Sequence, residues 1–203
     1  MPYDAVVVAS GFRATELAEL RGLATGRALR PCRGQNLLLE NSDRLEMPLI
    51  CGKYVVPVDG GRRLLVGATF EYDPPECVHR AAQADEATEA LRPPLADMHP
   101  AIAHAPVLGA QAGVRSLPPR SHHGYAPLAG KLPDTDLNGA DSGGCRTWLF
   151  GGLGSRGLIH HAVIGACVAD AVLADDEAPL PDHVRRLDLA RIVSEHASEG
   201  RVV

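Results

Sequence analysis

A glycine-rich turn between two apolar segments restricts the fold of this chain more than any other feature. Residues 147–150 form a short apolar run typical of a strand, and the run leads directly into Gly151, Gly152 and Gly154. Residues 158–173 follow and are apolar on almost every face, which predicts a helix buried on most sides. The helix residues expected to pack closely against a sheet are Ala162, Val163, Ala166 and Ala169. A strand, a tight turn and a buried helix in this order are typical of a layered α/β fold.

The start of the chain has the same order of strand and glycine. Residues 5–9 form a β-branched run stopped by Ser10 and Gly11, and a short helix is predicted at 16–20. The strands at 5–9 and 147–150 are expected in one sheet, with their C-terminal ends at the same crevice.

The middle of the chain consists mostly of predicted strands. Their positions are 35–39, 53–58, 63–69 and 110–116, with a hairpin turn at 59–61. A helix predicted at 81–91 should end at Pro93 and Pro94, because proline cannot continue a helix. The elements together predict a mixed α/β fold in which an antiparallel sheet is joined to part of an α/β layer.

Composition excludes several classes of protein. The net charge is −5 and the basic residues are scattered, so direct nucleic-acid binding is not expected. The five cysteines form no C-x-x-C pair, which disfavours a disulfide framework or a thiolate zinc site. We expect no signal peptide, and the longest apolar stretch, 158–174, contains His160, His161 and Asp170, so we expect it to be too polar for a membrane span. A soluble intracellular protein is expected, in a compartment that the sequence does not identify.

Two features could bind an anionic or electron-rich group. Free N–H groups at the start of the helix at 158–173 favour an anion, although a tight connection that needs small residues explains the same glycines equally well. Arg115 follows an apolar strand and could hold a carboxylate through two parallel hydrogen bonds. A structural ion pair explains such an arginine more often than a ligand does.

Other polar residues are weaker candidates. The pairs His122-His123 and His160-His161 are adjacent in sequence, so on a helix their side chains would diverge and not form a metal-ligand pair. Ser155 has no histidine or aspartate partner nearby in sequence, which disfavours a serine nucleophile.

Six motifs in order resemble the FAD-dependent oxidoreductase family that includes glycine oxidase, D-amino-acid oxidase and sarcosine oxidase. They lie at 6–11, 31–35, 54–57, 65–69, 113–115 and 151–158. The motifs Arg33-Gly34-Gln35 and Gly154-Ser155-Arg156-Gly157-Leu158 especially resemble the FAD domain of bifunctional enzymes that modify the tRNA wobble uridine. The resemblance implies an antiparallel substrate-domain sheet at 31–117. It also implies an incomplete FAD-binding, Rossmann-like layer from residues 1–30 and 118–191, and a flexible tail at 192–203.

The resemblance also implies roles for individual residues. Arg115 would bind the substrate carboxylate, Tyr54 would line the substrate pocket, and Arg156 would lie beside the flavin and the substrate. Arg115 and Tyr54 would face the turn at 154–156 across an open cavity. The residues implied to contact FAD are Ala9, Ser10, Gly11, Gly154, Ser155, Arg156, Gly157, Leu158 and Ile159. The cofactor would perform the redox step, while the protein would align the substrate with it.

Two departures from the family leave the function open. The family begins with a strand, a G-x-G-x-x-G turn and a helix that hold the FAD pyrophosphate, and none of that segment precedes the strand at 5–9. The loop at 118–127 also lacks the aspartate usual after the arginine strand. The expected function is the C-terminal portion of a flavin-dependent enzyme that oxidises a C–N bond of an amino acid or amine, with weak or absent FAD binding by the isolated chain. The alternatives are a non-catalytic truncated fragment, a subunit that needs a separate chain for the dinucleotide fold, and a binding module that keeps a carboxylate pocket without flavin.

Overall fold

The computed structural model describes residues 3–17, 20, 29–72, 78–120, 124–132 and 145–185. The described strands are β1 (Ala5–Val8), β2 (Arg30–Glu40), β3 (Leu49–Cys51), β4 (Lys53–Val58), β5 (Arg63–Gly67), β6 (Val107–Leu117), β7 (Leu128–Lys131) and β8 (Arg146–Gly151). The helices whose full span is described are α1 (Ala84–Met98) and α2 (Gly157–Ala174), with short 3-10 helices at Gly11–Glu16, Pro100–Ala103, Gly154–Arg156 and Asp182–Val184. The predicted tail at 192–203, His122, His123 and Cys77 lie outside the described residues.

The first of two compact units contains residues 1–31 and 115–203. Its described sheet has the strand order β1-β8-β7. β1 runs parallel to β8, with Val6 opposite Thr147 and Val8 opposite Leu149, whereas β7 is antiparallel to β8. The prediction that the strands at 5–9 and 147–150 share one sheet is confirmed. Because the two strands are parallel neighbours, their C-terminal ends lie at the same edge of the sheet.

One narrow face of α2 packs against this sheet. Ile164, Val168 and Ala171 are buried in a cluster with Trp148 of β8. Their spacing of four and three residues places them on one side of the helix. The prediction of a helix buried on most sides is therefore wrong, since the sheet covers a single face. The residues expected to be packed, Ala162, Val163, Ala166 and Ala169, are all exposed.

The exposed part of α2 is strongly apolar. Leu158 is 91% exposed and Leu173 is 84% exposed. By length and composition alone, the helical stretch Gly154–Ala174 could cross a membrane, so the expectation that this stretch is too polar to do so is wrong. A core helix of a soluble protein can have the same length and apolar composition.

The second compact unit, residues 32–114, contains a sheet with α1 packed on one of its two faces. The strand order is β3-β4-β5-β2-β6, and the pairs β3–β4, β4–β5 and β5–β2 are antiparallel. Asp59 and Gly60, both with positive φ, form the turn between β4 and β5, as the hairpin signal predicts. Alternate strand residues and one face of α1 form the core; its members include Leu37, Val55, Val66, Ala87, Leu91 and Leu95. The predicted mixed α/β fold with an antiparallel sheet and a partial Rossmann-like layer is confirmed.

α1 continues through Pro93 and Pro94, so the prediction that it ends before them is wrong. The two prolines cannot donate to the carbonyls four residues earlier, which costs helical hydrogen bonds. Leu91 and Leu95 on either side are both fully buried, and keeping the helix intact buries them together. Arg92 adds hydrogen bonds from its guanidinium to the carbonyl oxygens of three residues after the helix; these are Ile102, Ala103 and Ala105.

Candidate functional site

The turn between β8 and α2, in the first unit, depends on glycine at two positions. Gly152 has φ 65° and Gly154 has φ 56°, a left-handed backbone that glycine adopts without steric cost. A Cβ at Gly152 would lie 3.0 Å from the Cβ of Pro118 and 3.2 Å from a methyl carbon of Leu29. Local packing therefore requires glycine at 152 whether or not a ligand binds there.

The start of α2 has no side chain that caps its N-terminus. The 3-10 turn Gly154–Arg156 leads into the helix, and the first helical turn contains no acidic residue. Ser155, Arg156, Leu158 and Ile159 are exposed around it. The first N–H groups of a helix have no partner within the helix, and they carry the positive end of its dipole. This end of α2 can therefore stabilise an anion or an electron-rich oxygen.

The end of β1 lies at the same sheet edge as this turn. Ala9 and Ser10 follow β1 and are exposed, and Gly11 has φ 63° as it begins a 3-10 helix. β1 and β8 are parallel neighbours, so the segment 9–11 and the turn at 151–157 extend from adjacent strand ends. The structure thus places at one sheet edge the two groups of residues for which the family resemblance implies contact with FAD.

Gly152, Gly154 and Gly157 have the spacing G-x-G-x-x-G. The spacing lies between a strand and a helix, but no strand parallel to β8 follows α2 among the described residues, so the βαβ unit that gives this fingerprint its meaning is not formed there.

On the second sheet, three residues of neighbouring strands form a cross-strand row that we call the Tyr54 row: Asn36 of β2, Gly67 of β5 and Tyr54 of β4. The Tyr54 hydroxyl donates to Asn36 Oδ1 at 2.7 Å. A Cβ on Gly67 would lie 2.3 Å from Asn36 Oδ1 and 2.8 Å from the Tyr54 hydroxyl oxygen, so both side chains lie directly over the glycine backbone. The sequence singles out Tyr54 but not Asn36, because the pairing register that joins them is not readable from the sequence.

Arg115, the proposed carboxylate ligand, is on β6 near its C-terminal end and is partly buried. It belongs to the first compact unit, whereas Tyr54 belongs to the second. Its role as a ligand stays a prediction.

The Arg33-Gly34-Gln35 motif forms part of a buried polar network in the second unit. The Arg33 guanidinium is buried and lies 2.5 Å from Glu71 Oε2, and it also donates to the carbonyl oxygens of Arg80 and Ala81. Gln35 donates to Glu71 and accepts from the Gln83 N–H. The network ties the segment before α1 to the sheet.

The carboxylate of Glu71 is the centre of this network. Partial burial raises the pKa of Glu71. Hydrogen bonds from Thr69, Arg33 and Gln35, together with the charge of Arg33, lower it by more than burial raises it, so the pKa lies below its usual range. Only the Arg33-Gly34-Gln35 motif of this network is recognisable in the sequence.

Comparison with known proteins defines the class. The model of the FAD dependent oxidoreductase family matches residues 2–171. The chain therefore belongs to the FAD-dependent oxidoreductase family, as the motifs indicated.

Particular relatives are longer than this chain. The tRNA 5-methylaminomethyl-2-thiouridine biosynthesis bifunctional protein MnmC of Burkholderia orbicola is 33% identical over 186 residues, which are 86% of this chain and 28% of that protein. The protein of the same name from Marinobacter nauticus is 29% identical over 195 residues, 92% of this chain and 28% of that protein. The chain thus spans less than a third of the length of these relatives.

Solved structures show the same fold. Glycine oxidase from Geobacillus kaustophilus matches with a TM-score of 0.64 at 22% identity, over 87% of this chain and 43% of that one. L-proline dehydrogenase from P. horikoshii matches with a TM-score of 0.65 at 16% identity, over 98% of this chain and 48% of that one.

Proposed function

We propose that this chain is the C-terminal portion of a flavin-dependent oxidoreductase that oxidises a C–N bond of an amine or amino acid. The observation that carries the proposal is the sheet edge where β1 and β8 end side by side, with the segment 9–11 on one strand and the turn at 151–157 on the other. Ligands of open α/β sheets bind beyond such strand ends. Membership of the family makes FAD the proposed cofactor, which when bound would accept a hydride from the substrate carbon.

The residues at this edge fit the proposed cofactor. The uncapped start of α2, beside the exposed Ser155 and Arg156, leaves backbone N–H groups that a planar polar ring can approach. The backbone from Gly154 to Ile159 would hold the flavin ring, where the helix N-terminus favours negative charge. Ala9, Ser10 and Gly11 would contact the dinucleotide part. Arg156 would lie beside the flavin.

The substrate assignments rest on single side chains. We propose that Arg115 binds a carboxylate through its planar guanidinium and that Tyr54 contacts the substrate. Arg115 lies on β6 and Tyr54 lies on β4, and the role proposed for each residue can be tested without the other. We propose an amine as the substrate class, which is supported by the name of the solved glycine oxidase and by the aminomethyl nucleoside of tRNA in the names of the relatives.

A tRNA-borne amine is a second candidate substrate, favoured by the 33% identity to the MnmC protein. The net charge of −5 and the scattered basic residues disfavour a phosphate-binding surface on this portion. Contact with the RNA backbone would then come from another part of a longer protein, while this portion would contact the amine-bearing group alone.

We propose that a second segment holds the dinucleotide. β1 pairs with β8 alone among the described strands, and its Val6 and Val7 are 45% and 42% exposed. We propose that a dinucleotide-binding segment, in the same polypeptide or in a separate chain, pairs along β1. The pyrophosphate would then be held by that segment and not by the residues of this chain.

Flavin titration tests the proposal. The chain alone is expected to bind FAD weakly or not at all, measured by the fluorescence of free flavin. The chain expressed with the dinucleotide-binding segment of a relative is expected to bind FAD stoichiometrically. Stoichiometric flavin on the chain alone would contradict the need for that segment.

Substrate oxidation is tested on the reconstituted protein. Anaerobic addition of an amine or amino acid should bleach the flavin absorption, and failure with every amine and amino acid tried would overturn the proposed function. Arg115→Ala should raise KM for an amino acid but not for an amine without a carboxylate. Arg120→Ala, on an exposed arginine five residues further on, is the matched control.

A further inference from the structure

The second compact unit contains a cavity that is lined by none of the residues assigned to FAD or to the substrate. Its volume is about 300 Å³, at the lower end of the range for small-molecule sites. One wall is the loop after β2, residues 41–45, and the other is the segment between α1 and β6, residues 99–106. The cavity therefore has room for a small organic molecule.

Hydrogen bonds fix both walls of this cavity. The buried Asn41 amide donates to two backbone carbonyl oxygens and accepts from the Leu45 N–H, at 2.8–2.9 Å. The Arg92 guanidinium donates to three carbonyl oxygens of the other wall. The Glu40 N–H donates to the Pro106 carbonyl oxygen at 2.9 Å and joins the two walls. Because the walls are held in place without a ligand, a ligand that binds here orders little of the protein.

The floor of the cavity is apolar. Leu64, Ile102 and Ala105 line it, and each is at most 9% exposed as a member of the core of the second unit. Leu45 also lines the cavity and packs against the same core. A ligand with a short apolar part therefore finds dispersion contacts at the floor.

Four titratable side chains also line the cavity: Glu40, Asp43, His99 and His104. None of the four forms a hydrogen bond or an ion pair with another described residue. No lysine or arginine occurs among the described lining residues. Carboxylates only accept hydrogen bonds, and a neutral imidazole has one acceptor nitrogen. The lining is therefore rich in acceptors and negatively charged, which favours a cation with N–H groups.

Two arginines near the cavity have partners other than these carboxylates. Arg63 is opposite Glu40 in the β2–β5 register, and its guanidinium forms an ion pair with Asp59 at 3.1 Å. The Arg92 guanidinium is held by the carbonyl oxygens of the 99–106 wall. The charges of Glu40 and Asp43 therefore remain available to a ligand.

The geometry of the side chains favours an organic cation over a metal ion. Among the described residues, no three histidine, cysteine, aspartate or glutamate side chains are placed to hold a metal ion together. An organic cation needs no converging set of ligands. A guanidinium, for example, spreads its charge over a plane with five N–H donors and is more weakly hydrated than an ammonium group.

We propose that the cavity between residues 41–45 and 99–106 is a binding site for a small organic cation with a short apolar part. Glu40 and Asp43 hold the charged group, and the apolar floor contacts the rest of the ligand. The inference is independent of the proposed function, because it uses no residue assigned to FAD or to the substrate.

A matched pair of ligands tests the role of charge. N-butylguanidinium and N-butylurea have nearly the same shape, and only the guanidinium is charged. Each is titrated into the 15N-labelled full chain, and the amide signals of residues 41–45 and 99–106 report binding. The guanidinium should shift the signals of these two segments most strongly. The urea should bind about fivefold more weakly, the size of one exposed ion pair.

A shorter ligand tests the apolar floor. Methylguanidinium has the same charged group as N-butylguanidinium and lacks three methylene groups. It should bind about tenfold more weakly, because partly buried methylene groups contribute to affinity. An affinity equal to that of N-butylguanidinium would overturn the assignment of the floor to an apolar part.

Two charge-removing variants test the carboxylates. Asp43→Asn and Glu40→Gln hardly change the size of the side chains, and both residues are exposed, so the variants should fold. Each should weaken N-butylguanidinium about threefold and leave N-butylurea unchanged. Glu89→Gln is the matched control, since Glu89 is exposed on α1 and does not line the cavity. It should leave both affinities unchanged.

Three results would overturn the inference. The first is an equal affinity for the guanidinium and the urea, or binding of neither. The second is a set of shifted signals that lies outside the two wall segments. The third is an affinity for N-butylguanidinium that neither carboxylate variant weakens, or that Glu89→Gln weakens as much as they do.

Discussion

Arg33 belongs to a motif that resembles the family, and its side chain stabilises the fold through buried hydrogen bonds. Its side chain is 1% exposed and is surrounded by Glu71 and by the carbonyl oxygens of the segment that leads into α1. A buried guanidinium is stable only when nearly all of its donors find acceptors. The segment at 80–83 supplies those acceptors, so Arg33 and Glu71 fix the position of α1 on its sheet.

Removing Arg33 should therefore destabilise the protein. Arg33→Met leaves the Glu71 carboxylate without its cation, and we expect a loss of roughly 3 kcal/mol in the free energy of unfolding, measured by urea denaturation. Arg80→Met is the matched control, because the Arg80–Glu86 pair is exposed and such pairs contribute at most about 1 kcal/mol. Equal losses in the two variants would contradict the structural role of Arg33.

The lowered pKa of Glu71 predicts a pH dependence of stability. A carboxylate whose folded pKa is lowered stabilises the protein fully above its unfolded pKa, about 4.3, and this contribution is lost as the pH falls through the folded pKa. Glu71→Gln should thus be less stable than the unaltered chain at pH 7, by roughly 1–3 kcal/mol. The difference in urea midpoint should shrink as the pH falls below about 4.3. Glu86→Gln is the control, and a Glu71→Gln difference that stays constant down to pH 3 would refute the assignment.

At the scale of elements, α2 marks the limit of reading burial from composition. Its apolar residues surround the helix, so the sequence predicts burial on most sides, yet the described sheet covers only the face of Ile164, Val168 and Ala171. Composition states how much apolar surface a helix has and not how much of it neighbouring elements cover. Which of several similar alanines is buried depends on the register of the helix against the sheet.

A pair of alanines on α2 tests this burial. Ala171 is fully buried beside Trp148, and Ala166 is exposed. Ala171→Leu should lower the free energy of unfolding by roughly 1–3 kcal/mol through overpacking. Ala166→Leu, five residues earlier on the same helix, should change it by less than about 0.5 kcal/mol. The reverse order of effects would show that α2 packs through a different face.

Strand prediction succeeded where alternation and turn chemistry agreed. β4 begins and ends where the sequence predicts, because alternating apolar residues lead into the Asp59-Gly60 turn. β3 was missed because three residues are too few for a periodic pattern, and β7 was missed because Leu128–Lys131 contains no β-branched residue.

In the candidate site the glycine turn was predictable from its own residues. The Asn36–Tyr54 bond was not, since it depends on the pairing of three strands.

At the scale of the whole molecule, apolar surface is concentrated on the first unit. Val6 and Val7 of β1 are partly exposed, and α2 exposes Ile159, Val163 and Leu173 at 66–84%. Large exposed apolar side chains such as these favour association with another surface. Among the described strands β1 lies at the edge of its sheet, and an edge strand can bind another chain through its backbone groups. The longer relatives, of which this chain covers 28%, have further sequence that could cover such a surface.

We therefore expect the isolated chain to self-associate or to require a partner for solubility. Replacing Val163 and Leu173 with lysine should reduce the apparent mass in sedimentation velocity at high protein concentration, because both side chains are exposed and charge opposes apolar contact. The melting midpoint should change little, since neither residue belongs to the core. Gln111→Lys, which adds charge to an exposed site of the second unit, should leave association unchanged. If the unaltered chain stays monomeric at all concentrations, the exposed apolar face of α2 does not cause self-association and the prediction is wrong.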